Sequence, residues 1–342
     1  MHAASARSST QDQELLEAAR GDEDSFRRFV EPRLAELHAH CYRMLGSLHD
    51  ADDALQDALL RAWRGLRRFE GRGAPRSWLY RIATNACLDA IARRPKRLVP
   101  IDDCPVAGPG DDAGAPLGDP SRMEPYPDQQ LGGGFAAPEA SYEQRESVEL
   151  AFIVALQRLP ASQRAVLILR EVLGFSAREV AETLELTPVA VNSALQRARK
   201  AVDERLPDRS QQATLRSLGD KRIRELVEGF VDAWDKGDVD AMVAMLVEEP
   251  TFAMPHSGTR HRGREAISAF LPAGPPGRWR LVPARANGQL AFGAYRWDPR
   301  TRSHRAALLD VLALRGGKIA EVTAFAVPGA FRRFGLPDGL PG

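Results

Sequence analysis

The sequence predicts a multidomain protein, with two all-α helical domains, the second carrying a helix-turn-helix, followed by an α+β domain. Three observations predict it. Apolar residues recur at helical spacing over roughly 11–98 and again over 139–207. A stretch dense in Pro and Gly, 99–138, separates these segments and has neither a helical nor a strand period. From 219 to 337 helices come first and alternating, strand-like runs afterwards, the order of an α+β domain.

Composition sets the bounds. At 342 residues the chain is too long for one typical domain, and 44% apolar residues suffice for proper cores. No run approaches the ~18 apolar residues of a membrane span. The opening "MHAASARSSTQDQ" has no apolar core of a secretory signal, so a cytoplasmic location is expected. Cys41, Cys87 and Cys104 show no CxxC spacing, which suits a reducing compartment and speaks against a disulfide framework or a zinc site. Neither a metal nor a cofactor is expected. The net charge of +1 hides basic blocks in 61–97 and 197–205, with an acidic stretch between them. Separated basic blocks suit nucleic-acid binding on particular faces.

In the first domain, "ELLEAARGDEDSFRRFVEPRLAELHAHCYRMLG" reads as helix, with Gly46 where a C-cap belongs. "HDADDALQDALLRAWRGLRRF" opens another, with Asp50 as N-cap and Asp52 and Asp53 favourable to the dipole. "FEGRGAPRSWLYRIATNACLDAIARR" supplies a third. At 100° per residue, Leu79, Ile82, Ala83, Ala86 and Ala90 form its core stripe. Ser77, Arg81, Thr84 and Asn85 point the other way, with Trp78 at the edge of that polar face. Unpaired bases need a π-surface for stacking, amide and guanidinium donors, and an adaptable loop, here "EGRGAPR". The alternative is that Trp78 and Tyr80 plug a helical core, and Tyr80 lies nearer the core side.

In the second domain, "YEQRESVELAFIVALQRL" is a helix stopped near Pro160, and "SQRAVLILREVLG" starts from Ser162 and ends at Gly174. Ser176 and Glu179 form a capping box opening "AREVAETL". After the turn "ELT", Thr187 caps a helix with Pro188 at its first position. Two short helices across a tight turn make a helix-turn-helix. Val191, Ala194, Leu195 and Ala198 pack inward, leaving Asn192, Ser193, Gln196, Arg197, Arg199 and Lys200 around the exposed side. Asn and Gln can read adenine edges, and Arg guanine or phosphate. A plainly solvated helix with basic residues near its C-terminal end is the bland alternative.

The last domain opens with an amphipathic helix to a turn at Gly237, followed by a shorter helix. "TFAMP" is extended and "GREAISAFL" helical. The alternating runs that follow turn at Asn287-Gly288 and Gly316-Gly317 as hairpins.

"YRMLGSLHDADDALQDALLRAWRGLRRFEGRGAPRSWLYRIATNACLDAIARR" resembles the promoter-melting domain of sigma-70-type RNA polymerase sigma factors of the extracytoplasmic-function group. "LPASQRAVLILREVLGFSAREVAETLELTPVAVNSALQRARKAV" resembles the −35-reading domain of that group. The last domain, chiefly through "RGGKIAEVTAFAVPGAFRRFGLP", is similar to the NTF2-like (SnoaL-like) cone-shaped fold appended to some of its members.

The resemblance implies roles. Asp50, Asp52, Asp53, Gln56 and Asp57 fall where such factors grip the β′ clamp of core RNA polymerase, although helix-dipole compensation also accounts for the acids. Glu70, Gly71, Arg72 and Arg76 belong to the loop that captures a flipped −10 base, and Ser77, Trp78, Arg81 and Asn85 to the helix on the −10 strand. The −35 contacts are Ser176, Arg178, Thr187, Asn192, Ser193, Gln196, Arg197, Arg199 and Lys200. The partners implied are core polymerase, through clamp and flap, and double- and single-stranded promoter DNA, with no membrane. A small-molecule ligand or an anti-sigma partner is left open.

Residues 101–138 hold seven acids and only Arg122 as a base, so the linker is expected to thread polymerase's positive nucleic-acid channel. As an unordered segment of about forty residues it reaches up to ~120 Å, enough for promoter elements ~58 Å apart. Relatives of the last domain include isomerases and cyclases with an Asp/His pair. Here His256 falls in a loop and Asp310 on a strand where alternate residues face solvent, so catalysis is not expected. A ligand-sensing helix-turn-helix regulator would leave residues 50–94 without a task. The sigma-factor reading uses every segment, with the last domain acting on the others in cis.

Overall fold

The computed structural model describes residues 22–66, 74–93, 106, 123–131, 145–271 and 276–342. These fall into two compact units.

The first unit is helical. Helices α1 (Glu23–Val30), α2 (Leu34–Leu45), α3 (Leu48–Gly65) and α4 (Pro75–Arg93) pack around Phe29, Leu37, Tyr42, Leu45, Leu79 and Tyr80. Gly46 ends α2 at φ 71°, a left-handed geometry that glycine adopts without Cβ strain. The cap of α3 differs from expectation. It is Ser47, whose Oγ accepts the Asp50 N–H at 3.2 Å, so Asp50 sits inside the first turn. Either position suits an acid, because the exposed N–H groups there favour negative charge.

From Ala155 this unit continues through the end of α5 (Leu150–Gln157) to α6 (Ala161–Leu167), which begins after Pro160 rather than from Ser162 and continues as a π-turn, Ile168–Val172. α7 (Ala177–Leu184) and α8 (Pro188–Asp203) complete this unit. Both halves of the capping box form, Ser176 Oγ accepting from Glu179 N–H and Glu179 from Ser176 N–H. Thr187 caps α8 through Ala190 N–H at 3.2 Å, with Pro188 at the first position. Val180, Val191, Leu195 and Ala198 are buried between them.

The second unit has α9 (Gln211–Lys236), α10 (Val239–Ala244) and α11 (Arg264–Phe270) against one sheet. Its strands are β1 (Leu246–Met254), β2 (Thr259–Arg262), β3 (Trp279–Ala286), β4 (Gln289–Asp298), β5 (Ser303–Arg315), β6 (Lys318–Phe325) and β7 (Gly339–Pro341). The order is β2-β1-β6-β5-β4-β3, with β7 added beside β5. Among these paired strands β1 and β6 run parallel and the other pairs antiparallel. Asn287 and Gly288 turn the β3–β4 hairpin at φ 55° and 68°, as a two-residue turn with right-handed strand twist requires. Phe230, Trp234, Phe252, Phe292, Leu312 and Val322 fill the core between helices and sheet.

Candidate nucleic-acid and polymerase interface

Helix α4 buries Leu79, Tyr80, Ala83, Thr84, Ala86 and Cys87. Tyr80 is a core residue, meeting His40 and Phe175 edge-on while its hydroxyl donates to Glu36 Oε2 at 3.2 Å. Thr84 corrects the sequence reading, which placed it on the polar face. It is fully buried, with Oγ1 2.9 Å from His40 Nε2, and helical periodicity cannot reveal a partner 44 residues earlier. Arg81 and Asn85 are exposed and Trp78 is half-buried at the edge of their face. Glu70, Gly71 and Arg72 lie outside the described residues.

The N-terminal end of α4 is engaged by the helix-turn-helix segment. Both terminal nitrogens of Arg76 donate to Leu173 O, at 3.3 and 3.2 Å. Its guanidinium lies 5.2 Å from the Tyr80 ring centroid and 4.8 Å from that of Phe175. Ser77 Oγ donates to Glu179 Oε1 at 3.2 Å, so the capping-box carboxylate also binds α4. With those N–H and O–H donors around it, the Glu179 carboxyl is held below its ordinary range. Two side chains expected at the −10 strand are therefore taken by protein.

On α3 the five clamp candidates divide. Asp52 lies 3.0 Å from His38 Nε2, and Asp57 pairs with Arg61 at 2.7 Å. Asp50 is half-buried in the first turn, whereas Asp53 and Gln56 are exposed. Three and seven residues beyond Asp53 come Gln56 and Leu60, one helical face. Leu60 is 48% exposed, and sequence reasoning missed it because a leucine among alternating apolar positions counts as core.

On α8, Asn192, Ser193, Gln196, Arg197, Arg199 and Lys200 are all exposed, while Val191, Ala194, Leu195 and Ala198 face inward. Arg199 is paired with Glu171 at 2.6 Å, and Arg178 with Glu182 at 3.1 Å. Ser176 and Thr187 serve as caps, each hydroxyl oxygen accepting a backbone N–H.

The second unit holds a polar clasp that the sequence did not announce. Asn287 donates its backbone N–H to Tyr126 O at 2.8 Å and accepts Tyr126 N–H on Oδ1 at 2.8 Å. Its Nδ2 donates to Val148 O at 2.7 Å. Gly288 N–H donates to Asp128 Oδ1 at 2.7 Å, and Gln289 Oε1 accepts Leu150 N–H at 2.9 Å. From α9, Gln212 donates to Gly288 O, while Glu149 accepts the Gln211 and Gln212 N–H groups at 2.9 and 2.8 Å. Residues 123–129, expected to be unordered, thus have a fixed place, and Pro127 bridges Ala286. Among the described residues the helix expected from 142 is regular only from Leu150, the Val148 carbonyl before it being bonded to this turn and the Glu149 carboxylate to α9. Burial pushes the Glu149 carboxyl up to about 7 against the pull of its two N–H bonds.

Asp310 departs from expectation too. It is 1% exposed rather than solvent-facing, opposite Phe292 on β4 and Ala324 on β6. Burial alone raises it to about 7. Both faces of β5 are covered here, so strand alternation does not mark a wet side. Among the described residues, no group of three or more His, Cys, Asp or Glu side chains could hold a metal ion. No described helix is long and apolar enough to cross a membrane.

Family models match in chain order: sigma-70 region 2 at 29–97, sigma-70 region 4 at 149–202 and a SnoaL-like domain at 227–322. The ECF RNA polymerase sigma factor SigG of Mycobacterium tuberculosis is 37% identical over 341 residues, covering 96% of this chain and 87% of its own length. The ECF RNA polymerase sigma factor SigW of Bacillus subtilis is 29% identical over 196 residues, 57% of this chain and 95% of its own length. The crystal structure of the Mycobacterium tuberculosis extracytoplasmic function sigma factor SigJ superposes with a TM-score of 0.57 at 24% identity, covering 91% of this chain and 99% of that one. That likeness establishes the fold: helical sigma domains followed by a SnoaL-like domain.

Proposed function

This chain belongs to the extracytoplasmic-function sigma factors, which bind core RNA polymerase and direct initiation at promoters, and on that premise we propose a division of labour along it. The α3 face of Asp53, Gln56 and Leu60, with Asp50, Asp52 and Asp57 around it, docks on the β′ clamp. Arg76, Ser77, Trp78, Arg81 and Asn85 of α4 take the separated −10 strand, together with Glu70, Gly71 and Arg72 before them. Helix α8 reads the −35 element. Sigma factors are not enzymes, and the chemistry of initiation is the polymerase's.

Regulation in cis is the finer part of the reading. The −10 and −35 elements lie ~58 Å apart along B-DNA. Ser77 of α4 and Glu179 of α7 are within hydrogen-bond distance, so the described arrangement serves only one element at a time. Reaching both requires the linker to be paid out. The observation that carries the proposal is the clasp on Tyr126 and Asp128 of the linker and on Val148, Glu149 and Leu150 after it, which fastens both ends of this stretch to the SnoaL-like domain. Asp128 is among the acids expected to enter the polymerase channel, so channel and domain compete for one segment.

Asn287→Gly tests this. Glycine keeps the left-handed turn but deletes the side-chain bonds to Tyr126 and Val148. Losing two buried hydrogen bonds at about 1 kcal/mol each predicts promoter output with core polymerase higher by about thirtyfold. Output equal to that of the parent chain, with the linker amides shown by hydrogen exchange to be released, would overturn regulation through the clasp.

A further inference from the structure

The exposed stripe of α8 does not begin with a polar residue. Counting from Val189, positions three, four and seven further on are Asn192, Ser193 and Gln196, so Val189 heads the same face. It is 75% exposed, whereas the other large apolar residues of the helix, Val191, Leu195 and Val202, are buried. Nothing local asks for it. The cap is made by Thr187 and the helix start by Pro188, and a β-branched residue gains nothing in a solvated first turn. Leu186, 39% exposed in the preceding turn, extends the apolar end.

A recognition helix meets base edges with its N-terminal residues. The apolar feature that the four bases offer in the major groove is the thymine 5-methyl. We infer that Val189 reads the 5-methyl group of a thymine in the −35 element. The helical rise puts Val189 about 4.5–6 Å along the axis from Asn192 and Ser193. At ~3.4 Å per base pair, its thymine lies within about two pairs of the bases those residues read. The inference rests on α8 being the −35 reader.

The test uses the full chain in holoenzyme with core polymerase. Selection from duplexes randomised at −35 first defines the preferred element. Each thymine in it is then replaced by deoxyuridine, which removes the methyl and leaves every hydrogen-bonding edge. One replacement is expected to weaken binding about fourfold, the effect of about one buried methyl group. Val189→Ala is expected to become insensitive at that position and to keep the parent response elsewhere. Val189→Thr, which keeps one methyl, falls between. No methyl-sensitive thymine, or an alanine variant with the parent response at that position, overturns the inference. Selection that returns no −35 preference overturns the assignment of α8 instead. As the residue is exposed, an unchanged thermal melt verifies that both variants fold.

Discussion

Two buried titratable residues give the two units opposite pH dependence. His40, fully buried beside Thr84, is pushed down to about 3 by desolvation and by the nearby Arg43 charge. The unfolded chain takes up that proton near its ordinary 6.5, so the helical unit has the full stabilisation above 6.5 and loses it as pH falls toward 3. Asp310 runs the other way. Its folded value near 7 lies above the ordinary 3.8, so the native state holds the extra proton between those values and stability declines as pH rises through them. Asp310→Asn keeps the shape and removes the charge. It is expected to raise SnoaL-like-domain stability at pH 8 by roughly 4 kcal/mol and leave little change at pH 4. Protection of core amides, followed by hydrogen exchange from pH 4 to 8, measures it. An unaltered slope would show that Glu149, shifted in the same direction, sets the dependence. At this scale the sequence was partly legible. The solvent-facing placements of Arg81 and Asn85 follow from periodicity, while Thr84 and Asp310 do not, because their surroundings come from distant segments.

Single elements were more legible, since caps and turns depend on neighbours within four residues. The box of Ser176 and Glu179, the Thr187 cap with Pro188, the Gly46 stop and the Asn287-Gly288 turn all form where the sequence implies. Ser176→Ala should cost the helical unit about 1 kcal/mol, the usual worth of an N-cap. Glu185 offers the converse. It ends α7 at φ 55°, a left-handed geometry that costs a residue with a Cβ about 1–2 kcal/mol. Glu185→Gly is expected to raise stability by about 1 kcal/mol and to leave −35 binding unchanged. A shift of the urea midpoint with unaltered slope is the readout for both variants, and a Glu185→Gly midpoint at or below the parent's would contradict the strain argument. The misplaced starts of α3 and α6 are shifts of three and two residues, to the Ser47 cap and to Pro160, which makes no side-chain cap bond.

For the whole molecule, composition described the linker by what it lacks. Pro, Gly and acids give no periodicity, so 99–138 read as unordered. Its partners lie far ahead in the chain, 161 residues from Tyr126 to Asn287 and 160 from Asp128 to Gly288, and no local pattern encodes a bond of that span. The four amides that make the clasp, Gln211, Gln212, Asn287 and Gln289, are all buried, and buried amides persist where each polar atom finds a partner. The clasp also fixes where the SnoaL-like domain can be cut away. Removal from residue 219 leaves Gln211 and Gln212 behind, still able to cap Glu149, whereas removal from 207 takes the whole of α9. If channel and domain compete for the linker, the Tyr126, Leu150 and Gly288 amides are slow to exchange in the free chain. They should exchange at least tenfold faster once core polymerase is bound, the change expected when about 1.4 kcal/mol of protection is lost. Amides equally slow in holoenzyme would mean that the polymerase accepts the chain with its clasp closed. The acidic segment would then stay on the domain throughout initiation.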